Sequence, residues 1–151
     1  MKVTYSVPFV HGKERPRFGG GVTRTSDVTA ANEDEIAYAY KGASLREHRR
    51  IVCAPPHVPV TMTIHCTIPA PRQRPKWCPK FLWDALGGIP FVRTPDYDNI
   101  AKEHSDALNG VAYHDDAQVT EAHIYKDPQL RGGKEVATVT IEWEEYEQEE
   151  G

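Results

Sequence analysis

Thr94–Val119 reads TPDYDNIAKEHSDALNGVAYHDDAQV. Five aspartates, Asp96, Asp98, Asp106, Asp115 and Asp116, share this span with a single lysine, Lys102. Carboxylates repel one another at such density, and a metal ion is the usual reason to gather them. Pro95 biases Thr94 towards extended backbone, so the chain enters the span as strand or loop. Asp96 or Asp98 can then cap a helix with the body Asn99–Leu108, where the positive end of the helix dipole favours acid. Asn109-Gly110 supplies the residues that end a helix in a left-handed turn. Four-residue spacing puts Asp98, Lys102 and Asp106 along one face, with Ile100, Ala107 and Leu108 as apolar contacts beside it.

After Gly110 the chain turns through Val111–Asp116, and Gln118–Lys126 alternates as a strand. Asp115 and Asp116 thus begin an element that can fold back beside the helix. Three carboxylates from a helix start and a neighbouring strand start suit Mg²⁺ or Mn²⁺, with water completing the octahedron. Such a site suits phosphodiester hydrolysis, where metal activates water and offsets charge on the phosphate. A plainer reading also fits the spacing: ordinary capping, a solvated Asp–Lys–Asp ladder and an Asp-Asp turn.

Three blocks in this span resemble the signature of the RusA family of Holliday junction resolvases of bacteria and their phages. The first is Pro95, Asp96, Asp98, Asn99, Ile100 and Lys102; the second is Asp106-Ala107-Leu108-Asn109-Gly110; the third is Asp115, Asp116, Gln118 and Val119. Tyr97 stands where an aliphatic residue is more usual. The resemblance implies that Asp96, Asp98 and Asp116 are catalytic and hold Mg²⁺, which Mn²⁺ can replace. It also implies that Lys102 is catalytic and that the protein is a homodimer acting on branched DNA. Asp106 is then assigned to holding Lys102, Asn99 to support, and Asp115 to metal binding or to orienting its neighbour.

The rest of the chain is compatible. At 151 residues it suits one domain with a real core. The mean hydropathy of -0.59 describes a polar surface, and no apolar run approaches the ~20 residues that span a bilayer. The start, MKVTYSVPFVHG, reads as a strand rather than a targeting segment. Cys53, Cys66 and Cys78 are odd in number and widely spaced, which fits a reducing compartment; the family resemblance implies the cytoplasm of a bacterium or of a phage host. His57, His65, Cys66 and Cys78 lack the paired close spacing of zinc sites.

A formal net charge of -4 would not point to nucleic acid, but its distribution does. Residues 1–80 hold 13 Lys/Arg against 6 Asp/Glu, and residues 81–151 hold 5 against 16. The basic half offers phosphate contacts, while metal neutralises part of the acidic half. Lys13, Arg15, Arg17 and Arg24 flank the triple glycine Gly19–Gly21 in a predicted loop over His11–Thr25. Glycine allows close approach to a sugar–phosphate chain and arginine grips phosphate bidentately. Arg15–Phe18 also resembles an Arg-Pro-Arg-Phe segment of the family. Arg72, Arg74 and Lys76 lie in the proline-rich loop Pro69–Pro79, which is expected to be exposed. Trp77 and Phe81 are expected to pack on the core with a short helix over Pro79–Leu86, in preference to stacking on bases.

A strand over Lys2–Val10, a long helix over Thr29–Arg50 with Ile36, Ala37, Tyr40 and Ala43 buried, and a strand from Val58 to Ile68 precede the acidic span. A final strand, Lys134–Trp143, precedes an acidic end over 144–151 expected to be disordered. The pattern predicts a single α+β domain with a mixed, largely antiparallel sheet and helices on one side. The rival readings are a flap- or branch-selective nuclease and a non-catalytic protein that binds branched DNA.

Overall fold

A computed structural model describes residues 1–13, 17–19, 22–24, 27–85 and 88–146. A four-stranded sheet runs in the order β1 (Lys2–Val7), β6 (Val136–Glu142), β4 (Val60–Thr67), β5 (Val119–Lys126). The β1–β6 and β6–β4 pairings are antiparallel, and β4–β5 is parallel. The predicted mixed, largely antiparallel sheet is therefore what forms. Its parallel pair requires a crossover, and that crossover carries α2 (Lys80–Asp84), α3 (Tyr97–Ala107) and a 3-10 turn (Asp116–Gln118).

Strand alternation creates the core. Val3, Tyr5 and Val7 of β1, Ala137, Val139 and Ile141 of β6, and Val60, Met62, Ile64 and Cys66 of β4 all face inward and are buried. They meet α1 (Asp27–His48), whose Ile36, Tyr40 and Ala43 are buried, and α3, whose Ile100, His104 and Ala107 are buried. Truncating such a residue, as in Ile64→Ala, costs about 2–5 kcal/mol. The opposite face carries short polar chains: Thr4 bonds Thr140 at 3.0 Å, and Ser6 bonds Thr138 at 3.0 Å. β5 is an edge strand with no buried residue.

Several boundaries move from expectation. β1 ends at Val7 rather than Val10, and Leu45 of α1 is exposed. Ser44 fills the inner position instead, its hydroxyl donating to Arg50 O and accepting from Val52 N. The glycine-rich loop contains a two-stranded ladder, β2 (Arg17–Gly19) with β3 (Val22–Arg24), in which Arg17 pairs Arg24. Trp77 and Phe81 do not pack on the core: they are 53% and 73% exposed. Trp77 lies in the turn before α2, and Phe81 lies in α2, whose five residues bury nothing. Cys78 is the residue that turns inward there. Arg15, Ser26 and Leu86 lie outside the described residues, as do 147–151 of the acidic end; Glu144, Glu145 and Tyr146 are exposed. Among the described residues, no helix is long and apolar enough to cross a membrane.

Candidate active site

Asp96 occupies the N-cap position of α3 in extended backbone, after a cis Thr94–Pro95 bond. Its carboxylate makes no capping hydrogen bond, so helix capping does not account for it. Asp98 lies in the first turn, exposed, and its Oδ1 accepts from Asn99 N at 3.0 Å. One turn further on is Lys102, exposed and without an ion pair among the described residues. The back of the same helix is buried and hydrogen-bonded. His104 Nδ1 bonds the Tyr5 hydroxyl at 2.8 Å, and burial pushes His104 down to about 4, so it stays neutral. Glu103, buried beside it, meets His11 Nδ1 at 2.6 Å, yet burial still raises its pKa.

The segment His11–Lys13 crosses the start of α3 closely. A Cβ on Gly12 would stand 2.8 Å from Pro95 Cβ and 3.1 Å from Asn99 Cβ, so glycine is what permits the approach. Lys13 N bonds Asn99 O at 3.0 Å. The Lys13 ammonium binds Asp106 and lies 3.2 Å from Glu33. Burial works against that charge, but Asp106 and Glu33 outweigh it and raise the Lys13 pKa. Asp106 is therefore held by Lys13, not by Lys102 as expected. Sequence spacing favoured the local partner, and the chain instead supplies one 93 residues away.

After α3, Gly110 takes φ +76 and lets the chain reverse, and Gly110 N bonds Tyr113 O at 2.9 Å. Asp115 then caps the 3-10 turn: its Oδ1 accepts from Ala117 N at 3.1 Å. Gln118 completes a reciprocal capping box. Its carboxamide is fully used. Oε1 accepts from His114 N at 2.9 Å and Asp115 N at 3.1 Å, while Nε2 donates to Pro55 O at 2.8 Å and Val58 O at 3.1 Å. Motif spacing alone assigns Gln118 no role. Its four bonds join the acid turn to the Pro55–Val58 turn, a link that no local spacing reveals.

The carboxyls of Asp115 and Asp116 lie within hydrogen-bond reach of each other. The Ala117 N–H, and then Asp116, hold Asp115 below its ordinary range, whereas Asp115 pushes Asp116 up. Asp106 also raises Asp116, and the Lys102 ammonium lowers it. Lys102 thus acts on the acid turn from the face of α3 that carries Asp98.

Among the described residues, no three His, Cys, Asp or Glu side chains converge closely enough to hold a metal ion. The acids form two sets, Asp96 with Asp98 and Asp115 with Asp116, and Asp96, Asp98 and Asp116 are not gathered into one cluster. The donor chemistry nevertheless fits a hard divalent cation. Every candidate ligand is a carboxylate oxygen, the donor that a hard divalent cation takes. Of the predicted DNA contacts, Arg72 and Lys76 are exposed, and Arg74 bonds Cys78 O at 3.0 Å to shape its loop. Arg17 and Arg24 are placed by backbone only, and Lys13 is engaged as described.

The family model described as Endodeoxyribonuclease RusA matches residues 8–142. A search of curated proteins gives no match.

Proposed function

This chain belongs to the RusA family of endodeoxyribonucleases, and from that premise we propose that it cuts four-way DNA junctions by Mg²⁺-dependent phosphodiester hydrolysis. Family membership supports nuclease action on branched DNA. The feature that supports the finer reading is the set of exposed carboxylates, Asp96 and Asp98 at the start of α3 and Asp116 in the turn that follows it, with Lys102 exposed one turn along the same helix. Asp96, Asp98 and Asp116 would hold Mg²⁺, which when bound acidifies the attacking water and offsets charge on the phosphate.

The chain's own groups do the rest. Lys102, unpaired among the described residues, offers its ammonium to a non-bridging or leaving oxygen. Asp115, tied to Ala117 N, fixes the direction of Asp116. Gln118 holds that turn against the Pro55–Val58 turn. Arg72 and Lys76, and the ladder bearing Arg17 and Arg24, supply phosphate contacts that set the position of the strand. A junction has two equivalent strands to cut, so a two-fold homodimer would present one acid site to each. Resolution of recombination and repair intermediates in a bacterial or phage-infected cytoplasm is the process such a reaction serves.

The test is cleavage of labelled junctions, flaps and linear duplex by the wild type and Asp98→Asn, in Mg²⁺ and in EDTA. Paired Mg²⁺-dependent nicks in the junction, lost in the variant while binding persists, are expected. Faster flap cutting would make the enzyme flap-selective, and binding without cutting under any metal would leave a DNA-binding module.

A further inference from the structure

Beside the acid turn lies a pocket of about 470 Å³, within the ~300–1,000 Å³ typical of small-ligand sites. One wall is formed by Pro56, His57 and Pro59, and the other runs from His114 to Thr120. Asp115 lines it, and Asp116 is the next residue of the same turn. Its two walls are the turns that the Gln118 carboxamide joins. The pocket's shape is therefore tied to the placement of the acids.

Two imidazoles face this space, His57 and His114, and neither side chain has a hydrogen-bond or ion-pair partner among the described residues. His57 holds φ +68, a left-handed backbone uncommon for a residue with a side chain. Val58 N bonds Pro55 O at 3.2 Å to close that turn. An unfavourable backbone that projects an unpartnered imidazole beside a reactive site is the kind of local strain kept for function.

We infer that this pocket receives the nucleobase of the nucleotide flanking the scissile phosphate, and that His57 and His114 read it. The inference rests on the nuclease reading above. Charge decides against an anion: the Asp115 carboxylate on the wall repels phosphate, while a neutral heterocycle meets no such opposition. The walls match that ligand. Pro56, Pro59 and the imidazole faces are flat and largely apolar, and histidine rings stack on unpaired bases. The imidazole nitrogens and the Thr120 hydroxyl both donate and accept, which is what a base edge requires. A base enters at low cost only where stacking is already broken, and a branch point is such a place.

The experiment uses the full-length protein and four junctions that differ only in the base flanking the cut. The wild type is expected to cut one of them roughly tenfold faster than the poorest, the size of a single base contact. His57→Ala combined with His114→Ala is expected to flatten that order. Both residues are exposed, so the fold should survive their loss. A second readout needs no cleavage: 2-aminopurine at the flanking position, bound in EDTA, should brighten with the wild type and not with the double variant. Equal cutting of all four junctions by the wild type overturns the pocket inference alone, as does an unchanged preference in the variant. No cutting of any junction removes the nuclease reading and this inference with it.

Discussion

The two acid sets are built in opposite ways. Asp115 and Asp116 sit in a turn fixed by a reciprocal capping box and by the four bonds of Gln118. Asp96 and Asp98 stand on an exposed helix start whose carboxylates make, among the described residues, one hydrogen bond to the chain, from Asn99 N to Asp98. The turn is pre-organised, and within it the hydrogen bond to Asp115, then burial and the neighbouring charge, raise Asp116. The helix start is open, but it rides on a helix whose back is anchored in the core by Ile100, His104 and Ala107. The contrast lies in where the support comes from: Asp115 and Asp116 are held by the capping box and by each other, whereas Asp96 and Asp98 are held through the buried back of α3.

The largest expected effect tests whether the two sets form one site. Asp116→Asn and Asp98→Asn should each lower junction cleavage by about a thousandfold with binding kept. A loss confined to one of them would break the pairing. Next comes the anchor behind α3. Above its ordinary value of 6.5, His104 is neutral in both folded and unfolded chains, and its burial is harmless. Below 6.5 the unfolded chain takes a proton that the native one refuses until about 4. Stability is therefore present above 6.5 and lost as pH falls towards 4, by on the order of 3 kcal/mol. Glu103, whose pKa burial raises, contributes with the opposite sign. Urea unfolding of the wild type against His104→Asn at pH 5 and pH 7 isolates the histidine, and parallel curves would refute the assignment.

Two smaller effects separate the halves. Gln118→Leu strands the carbonyls of Pro55 and Val58 and the amides of His114 and Asp115, and should cost about 2 kcal/mol. It should also cut cleavage by roughly 10–100-fold, with Mg²⁺ affinity falling alongside. Gly12→Ala presses on Pro95 and Asn99 and should cost about 1 kcal/mol, read as a lower Tm. If Gly12→Ala impaired the acid turn as much as Gln118→Leu did, the two regions would not be independently supported.

Local pattern carried much of this. The alternation from Val60 to Cys66 revealed a strand with one buried face, and the period of Ile100, Ala107 and Leu108 revealed the inner side of α3. Asn109-Gly110 marked the reversal through the conformation that Gly110 adopts. What stayed hidden depends on distant partners. Asp106 has an obvious neighbour in Lys102, and only the fold brings Lys13 to it. Gln118 reads as part of a motif, but its role depends on carbonyls some 60 residues away. Trp77 and Phe81 depart from expectation because hydrophobicity alone does not bury a residue: Trp77 sits in a turn, and the helix of Phe81 is too short to have an inner side.

The parallel pairing of β4 with β5 has a consequence for how such a protein can vary. The chain leaves the far end of β4 at Thr67 and returns beside its beginning at Val119, one strand over. Everything between forms one excursion, and it contains every proposed metal ligand, Lys102 and the exposed Arg72 and Lys76. Its two attachment points are fixed by adjacent strands, so the excursion is a cartridge in a fixed socket. The proline-rich loop can lengthen, shorten or exchange its charges while the sheet keeps its register, so the surface it presents can diverge without rebuilding the domain.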